Sequence, residues 1–243
     1  PNRVRLFWHQ RDLWTRDVVG LTVAARDDTV LPVYVYDADA FGPVGRRHYG
    51  FQMRGVRALK ERYRELGSDL IVRSGDTATK LASLADAVDA DAVYYGEHYR
   101  PSRRDRQQAV EEQFAGTDVD TEPRTDLVLV DPGRLDASYS THSQFYGDWE
   151  RSPKATPYAE PDPDALASVD DGTTVPVPNV DIDLPDAGSA AARERFDEFL
   201  DTGIYSYNDT RDDLARAVET PTQAVSRLSP YLAAGMIGIR EVW

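Results

Sequence analysis

The sequence predicts an α/β protein: a five-stranded, parallel, doubly wound (Rossmann-like) sheet, followed by a connector and the first helices of an all-α domain. Apolar runs of strand length alternate with amphipathic stretches of helix length through the first half of the chain. This alternation is typical of a parallel sheet that helices cover on both faces. After Asp131 the composition shifts to proline, aspartate, alanine and glycine, and helical periodicity returns from Ala190 onward.

The predicted strands are short runs rich in valine, leucine and tyrosine: Val4–Trp8, Val30–Tyr36, Asp69–Arg73, Ala92–Tyr95 and Leu127–Val130. Pro32 lies near the start of the second strand, where proline is tolerated. In sheets of this type, ligands bind at the carboxyl ends of the strands, near the point where the strand order reverses. The candidate binding loops are therefore 9–14, 37–46, 74–77 and 96–102.

The predicted helices of the first half show apolar residues at helical spacing: Asp17–Arg26, Tyr49–Leu66, Thr77–Val88 and Arg103–Phe114. The second of these directs Phe51, Val56, Leu59 and Tyr63 inward, and Gly67 is a natural C-terminal cap. The later helices are expected over Ala192–Leu200 and Gln223–Ala233, with a further start at Ile239–Trp243.

These elements suggest an α/β unit over residues 1–133, a connector over 134–188 and a truncated start of a helical domain over 189–243. The part of the connector over 153–188 is either ordered against neighbouring surfaces or a flexible acidic linker, and the sequence does not separate the two. The apolar faces of the last unit need partners that the chain does not supply. We therefore expect a fragment, or a protein that has lost its second half.

The composition is strongly acidic, with a net charge of −14, a pI near 4.7 and few lysines. This favours a salt-adapted surface over that of an ordinary acidic protein, and it argues against a general nucleic-acid-coating role, because phosphate binding requires a basic face. Cysteine is absent, which excludes disulfides and thiolate chemistry. With no membrane-length apolar run and no signal peptide before the first strand, we expect a soluble, cytoplasmic protein that does not contact membranes.

Residues 226–232 have the sequence SRLSPYL. The simple interpretation is an ordinary helix start, with Ser226 or Ser229 as N-cap and Pro230 in the first turn. The functional interpretation is an anion site, because hydroxyl groups and free backbone N–H groups at a helix start suit a pyrophosphate. Local physics alone favours the simple interpretation.

Two further stretches change that balance. Residues 7–13 (FWHQRDL) form a strand that ends in an Arg-Asp-Leu turn, and residues 207–213 (YNDTRDD) place Tyr207 and Arg211 four positions apart. In a helix that spacing puts both side chains on one face. The alternative is a surface Arg–Asp cluster of little energetic consequence.

Taken together and in this order, the three motifs resemble the DNA photolyase/cryptochrome family over essentially the whole chain. The resemblance implies that Tyr207 contacts FAD and that Arg211 lies at the DNA-facing rim. It also places the family's Thr-Ser-x-Leu-Ser phosphate clasp on Val225, Ser226, Arg227, Leu228 and Ser229. Val225 departs from the pattern, and the lost hydroxyl costs about 1–3 kcal/mol unless it is replaced.

The same resemblance identifies the α/β unit with the family's antenna domain, which carries a light-harvesting chromophore in many members. Trp14 and Val18 depart from the family pattern, and Asp17 keeps it. Ser102 and Arg103 stand where folate-type members have Asn and Glu, so a deazaflavin or flavin antenna, or none, is expected in place of folate. The candidate antenna contacts, from their positions at strand ends, are Arg11, Leu13, Asp37 and Glu97.

The implied function is light-driven repair of cyclobutane pyrimidine dimers with reduced FAD, acting on UV-damaged DNA as a monomer in the full-length form. The fragment alone is not expected to hold FAD tightly or to repair DNA. A cryptochrome-like blue-light sensor is the alternative, and a plain nucleotide-binding module is the third hypothesis. The four histidines show no metal-binding spacing, and the chain has neither a P-loop nor a Gly-x-Ser-x-Gly motif.

Overall fold

The computed structural model describes residues 3–26, 28–36, 45–136 and 138–243, with Thr222 described by its backbone alone. Five parallel strands form one sheet in the order β3-β2-β1-β4-β5, which confirms the predicted fold class. The strands are β1 (Val4–His9), β2 (Thr29–Tyr36), β3 (Ile71–Ser74), β4 (Ala90–Gly96) and β5 (Asp120–Arg124). The chain leaves β1 toward β2 and later returns to its other side with β4. The strand order therefore reverses between β1 and β4.

Four helices connect these strands: α1 (Val19–Ala24), α2 (Arg46–Glu65), α3 (Thr77–Val88) and α4 (Pro101–Phe114). The predicted bounds of α3 are confirmed at both ends. At the N-terminal end the Asp76 side chain caps the helix and accepts a hydrogen bond from the Thr79 N–H at 2.9 Å. Gly67 follows α2 with a φ of 80°, as predicted for a C-terminal cap. The first helix is shorter than predicted, because Asp17 adopts a left-handed φ of 52° and prevents an earlier start.

The strand side chains alternate between two hydrophobic cores. Phe7 packs on the face that α1 and α2 cover, whereas its neighbours Leu6 and Trp8 pack on the face that α3 and α4 cover. The four residues of α2 that were predicted to point inward all lie in the first core. Tyr231 and Met236, from the C-terminal part of the chain, belong to that same core. The C-terminal segment therefore packs against the sheet's α2 side.

The prediction of the fifth strand at Leu127–Val130 is wrong, because β5 is the polar stretch Asp120–Arg124. β5 pairs with β4 so that Arg124 lies opposite Gly96, the last residue of β4. The chain has therefore passed the carboxyl edge of the sheet before it reaches Leu127. An edge strand needs little apolar content and accepts a proline, so the apolar run was a poor guide to its position.

After β5 the described chain forms a 3₁₀ turn (Pro132–Arg134), then the helix α5 (His142–Arg151), and then an extended stretch over 153–188 that contains a second 3₁₀ turn. One buried and one partly exposed ion pair hold this stretch against the α/β unit, which supports the ordered alternative over the flexible linker. Asp171 lies 3.4 Å from the Lys60 Nζ, and Glu160 accepts hydrogen bonds from Arg62 at 2.6 and 3.1 Å. The stretch is acidic, yet these cations keep it in place.

The C-terminal part consists of short helices: α6 (Ser189–Glu198), which continues into a π-helical turn, then α7 (Tyr207–Thr210), α8 (Leu214–Glu219), α9 (Pro221–Ala224), α10 (Ser229–Ala234) and α11 (Ile239–Val242). The prediction of one helix over Gln223–Ala233 is wrong, because Val225 is extended (φ −143°, ψ 152°) and Arg227 is left-handed (φ 51°). Over the described ranges, no helix has both the length and the apolar character needed to cross a bilayer.

Candidate functional site

The predicted phosphate clasp, Val225–Ser229, is the irregular turn between α9 and α10. Arg227 holds its left-handed conformation while its guanidinium donates a hydrogen bond to the Ala217 carbonyl. The Ser226 hydroxyl accepts a hydrogen bond from the Leu228 N–H at 3.4 Å. Leu228, not a serine, occupies the N-cap position of α10, and no side chain caps the helix. The prediction that Ser226 or Ser229 acts as N-cap is therefore wrong, and the first amides of α10 keep no side-chain cap.

The hydroxyl groups of this turn are accessible. Ser229 is exposed and Ser226 is half-buried, whereas Leu228 is buried and anchors the turn in the first core. Because the anchor is apolar and Ser229 is exposed, the turn can present Ser226, Ser229 and the start of α10 to an anion. Val225 is half-buried and supplies no hydroxyl.

Tyr207 is the first residue of α7, and Arg211 is the C-terminal cap of the same helix. The prediction that the two residues lie four positions apart on one helical turn is therefore confirmed. The Tyr207 ring packs edge-on against Phe199, with ring centroids 5.6 Å apart, and keeps 40% of its exposure. Arg211 is exposed and pairs only loosely with Asp212, at 3.7 Å. An exposed pair of this kind contributes little to stability, which leaves the guanidinium available to other partners.

Two hydrogen bonds tie α7 to the helix that precedes the clasp. Ser206 donates to the Gln223 carbonyl at 3.2 Å, and Thr210 donates to the Ala224 carbonyl at 3.1 Å. The structure therefore brings the helix of Tyr207 next to the chain that leads into Val225–Ser229.

A second candidate site lies where the strand order reverses, at the carboxyl ends of β1 and β4. We call residues 10–12 and 97–103 the strand-end site. Arg11 lies within it and is 9% exposed. Glu97 also lies there, but it accepts a hydrogen bond from the Thr125 hydroxyl at 3.3 Å and so faces β5. Leu13 instead points into the first hydrophobic core, and Asp37 lies outside the described residues.

Three residues that the sequence analysis missed organise this site around the carbonyl of Gly96. Gln10 donates to that carbonyl at 3.3 Å and Gln107 at 2.8 Å, so the ends of β1, β4 and the helix α4 are joined. The Gln107 side-chain oxygen accepts from the His98 N–H at 3.1 Å. All three polar side chains are buried. Glutamine at these positions has no local signal, since only the sheet brings them together.

The electrostatics of the strand-end site are cationic. Burial, together with Arg103 and Arg100, lowers the pKa of Arg11 to about 10. Burial and the same group of arginines lower the pKa of His98 to about 4. His98 is therefore neutral at pH 7, and an anion would be attracted to the site.

A buried ion triad ties the C-terminal segment to the loops that follow β1 and β5. The Arg240 guanidinium lies 3.0 Å from a carboxylate oxygen of Asp17 and 3.0 Å from one of Asp126. Next to it, a Cβ on Gly235 or Gly238 would overlap the loop that carries Arg11 and Asp17. The segment after α10 is thus locked against the loop after β1. No local pattern identifies Arg240, because its two partners are 223 and 114 residues away.

A mainly apolar cavity of about 330 Å³ lies between the start of α2 and α10. Its lining includes His48 and Phe51 from α2, Leu184 from the connector, and Pro230 and Ala233 from α10. Burial and then Arg11, Arg103 and Arg100 lower the pKa of His48. The arginines of the strand-end site therefore act electrostatically on His48, at the edge of this cavity.

Comparison with known proteins places these features in context. The family model described as DNA photolyase matches residues 5–164. A deoxyribodipyrimidine photo-lyase of Halobacterium salinarum is 36% identical over 264 aligned positions, which cover 99% of this chain and 54% of that protein. Among solved structures, a cryptochrome of Synechocystis sp. PCC6803 matches all of the chain and 54% of its own, with a TM-score of 0.87 and 20% identity.

An archaeal photolyase from Sulfolobus tokodaii, whose structure is described as having two FAD molecules, matches 98% of this chain and 54% of its own, with a TM-score of 0.80 and 21% identity. At these identities the structural matches show the fold alone. The chain spans about half the length of the curated relatives it matches.

Proposed function

Because the chain belongs to the DNA photolyase family, we propose that it serves light-driven repair of cyclobutane pyrimidine dimers in UV-damaged DNA. In this proposal residues 1–133 are the antenna unit, 134–188 the connector and 189–243 the first part of the FAD-binding unit. The clasp supports the proposal, because it combines an exposed Ser229 with a helix start that lacks a side-chain cap. In addition, α7 with Tyr207 is hydrogen-bonded to α9, the helix in front of the clasp.

The residues present fit the phosphates of FAD. Ser226 and Ser229 can donate hydroxyl hydrogen bonds, and the start of α10 adds backbone N–H groups and a favourable dipole. Tyr207 would contact the dinucleotide with its exposed ring edge, and Arg211 would face the DNA backbone. When bound and reduced, FAD supplies the photoexcited electron that splits the dimer.

The acidic surface bears on how the protein would bind DNA and on the salt conditions in which it would work. A net charge of −14 suits salt-adapted conditions, and a relative from Halobacterium salinarum is consistent with them. DNA would then be held by local cations such as Arg211, not by the average charge of the surface.

The first test is FAD binding by the chain with single substitutions in the clasp. We expect S229A and S226A to weaken binding severalfold each, because a hydrogen bond to a charged phosphate contributes about 1.5–3 kcal/mol. V225T restores the family's hydroxyl and should strengthen binding. T202A, which removes an exposed hydroxyl whose hydrogen bond stays within its own helical turn at the Glu198 carbonyl, is the control for a general loss of folding. Equal FAD affinity in all four variants would contradict the assignment.

A second candidate function, a blue-light sensor without repair activity, is favoured by the match to the cryptochrome fold and by Val225 in the clasp. The two functions are separated by illuminating irradiated DNA with the flavin-loaded full-length protein and counting the remaining dimers. Loss of dimers only in the light supports repair. Unchanged dimers with a normal flavin spectrum support the sensor.

A further inference from the structure

Thr210 is the one buried residue of α7, and its hydroxyl lies beside the chain that leads into the clasp. It is 4% exposed, and the hydroxyl oxygen lies 3.1 Å from the Ala224 carbonyl and 3.0 Å from the Ser206 carbonyl. The Ser206 carbonyl already accepts the N–H groups of Asp209 and Thr210 within the same turn. The single hydroxyl hydrogen therefore serves the Ala224 carbonyl, 14 positions farther along the chain.

The Ala224 carbonyl is the last carbonyl before the clasp, because Ala224 ends α9 and Val225 begins the clasp. Ala224 is fully buried, so a carbonyl at this position needs a donor from the protein. Directly after it the chain becomes extended at Val225 and then left-handed at Arg227. Backbone of this kind lacks the repeating hydrogen bonds of a helix. The bond from Thr210 therefore sets the position from which the clasp begins.

The same bond fixes the clasp relative to Tyr207. Tyr207 and Thr210 are the first and last residues of α7, and the Tyr207 ring packs against the buried Phe199. Ser206 donates a second bond to the Gln223 carbonyl at 3.2 Å, but this pair is exposed to water. Water readily replaces an exposed hydrogen bond, whereas a buried carbonyl that loses its donor stays unsatisfied. Thr210 is therefore the stronger of the two ties between α7 and the clasp.

We propose that Thr210 is a positioning residue of the clasp. Its hydroxyl holds Ser226 and Ser229 in the position, relative to Tyr207, from which all three can contact one dinucleotide, and the buried Thr210 does not itself touch the ligand. The inference rests on the proposed function of the clasp and adds a residue that acts through the two serines. Such a residue changes the affinity for FAD only while the clasp hydroxyls are present.

The test is a double-mutant cycle between Thr210 and the clasp, measured by FAD titration of the chain. T210V replaces the hydroxyl with a methyl group of similar size, and we expect it to weaken FAD binding about fivefold, because the Ala224 carbonyl loses its donor. In the S226A/S229A background T210V should cause no further loss, since no clasp hydroxyls remain to be displaced. A general loss of folding would instead add in full to the loss from the serine substitutions.

Two further variants separate the hydroxyl from the packing of the side chain. T210S keeps the hydroxyl and should bind FAD within about twofold of the unmodified chain. T22V is the matched control, because the Thr22 hydroxyl donates to the Val18 carbonyl at 3.0 Å within α1, away from the clasp. We expect T22V to leave the affinity for FAD unchanged.

Amide hydrogen exchange of the ligand-free chain gives a second readout. The Val225 N–H donates to the Pro221 carbonyl at 3.0 Å, and the Met236 N–H, beyond α10, donates to the Tyr231 carbonyl at 2.9 Å. In T210V the first amide should exchange about fivefold faster while the second stays as protected as in the unmodified chain. An equal change at both amides would show that the substitution loosens the whole C-terminal part.

The outcomes distinguish this inference from the proposed function. Full additivity in the cycle, an equal loss in T210S or T22V, or unchanged exchange at Val225 would overturn the positioning role and leave the FAD assignment of the clasp in place. If the unmodified chain binds no FAD at all, the proposed function of the clasp and the positioning role both fail.

Discussion

At the scale of single residues, Arg240 is the most consequential side chain that lies outside both candidate sites. Its side chain is 4% exposed and faces two buried carboxylates, and its guanidinium also stacks over the Tyr158 ring at 5.2 Å. Burial and then Asp12 raise the pKa of Asp126 to about 6, although Arg240 acts against that rise. The triad therefore holds one more negative charge than positive charge at pH 7.

Replacing Arg240 tests how much this triad contributes. R240Q leaves Asp17 and Asp126 without their cation, and we expect the free energy of unfolding at pH 7 to fall by about 3–5 kcal/mol. R216Q is the matched control, because Arg216 forms an exposed pair with Asp213 at 3.9 Å and its loss should cost about 0.5 kcal/mol or less. Urea denaturation of the three proteins measures both changes. Losses of equal size would show that the triad does not lock the two segments together.

The pH dependence of the same variant has a definite sign. The folded-state pKa of Asp126 lies above its ordinary value of 3.8, so the folded chain binds this proton more tightly than the unfolded chain. The penalty for the buried carboxylate is thus full above pH 6 and relieved as the pH falls toward 4. In R240Q, where that pKa rises further, the stability should recover on acidification from pH 7 to 5.

At the scale of elements, α10 links the two candidate sites through its ends. It starts at the clasp, and it ends at Gly235, whose φ of 66° and close approach to the Arg11 carbonyl leave no room for a Cβ. The Leu13 N–H also donates to the Ala234 carbonyl at 3.4 Å. A shift of the loop that carries Arg11 is therefore expected to move the helix that carries the clasp.

Substitution of two glycines separates backbone conformation from this close packing. G67A places a Cβ in open space at a φ of 80°, so it should cost only the left-handed conformation, about 1 kcal/mol. G235A adds an overlap with backbone atoms that cannot rotate away, and we expect a loss of at least 3 kcal/mol together with weaker FAD binding. Thermal unfolding and FAD titration measure the two effects. Equal losses in both variants would show that α10 does not rest tightly on the Arg11 loop.

The elements also show which parts of the structure the sequence could predict. Periodicity placed α3 at both ends and identified the inward residues of α2, because the pattern of one helix depends on local spacing. It failed at β5, where pairing with β4 matters more than apolar content, and in the helix of 223–233, which Arg227 interrupts with a positive φ. The sequence identified Arg11 as a candidate site residue because it follows a predicted strand. It could not identify His98 and Arg240, because only folding brings their partners close to them.

At the scale of the whole molecule, a strongly acidic chain is held together by a few buried cations. Asp171 meets Arg73 at 2.7 Å and Lys60 at 3.4 Å, and Asp69 meets Lys60 at 2.8 Å. Burial alone would raise the pKa of Asp171, but hydrogen bonds from Arg73 and the Val72 N–H outweigh it and lower that pKa. Burial likewise acts to raise the pKa of Asp69 and of Glu160, but their cationic partners outweigh it and lower both values. The main partner of Asp69 is Lys60, and that of Glu160 is Arg62.

These carboxyl groups predict that acid releases the connector over 153–188. Because their folded-state pKa values lie below the ordinary 3.8 and 4.5, the stability they contribute is present above about pH 4.5 and is lost as the pH falls through the lowered values. This is the opposite sign from Asp126, so on acidification the connector should loosen while the triad at Arg240 tightens. Hydrogen exchange of the two regions, corrected for intrinsic rates, measures both.

A pair of aspartate variants assigns that release to the buried cluster. D171N removes the negative charge that Arg73 and Lys60 face, so the connector should already exchange rapidly at pH 7 and respond little to acid. D164N changes an exposed connector carboxyl and should behave as the unmodified chain does. If the connector were as protected at pH 3 as at pH 7, its apolar contacts, such as Leu166 beneath β2, would be sufficient to hold it. Hydrophobic burial alone would then stabilise the connector against the repulsion of its acidic surface. Lys60 would serve only to neutralise Asp69 and Asp171.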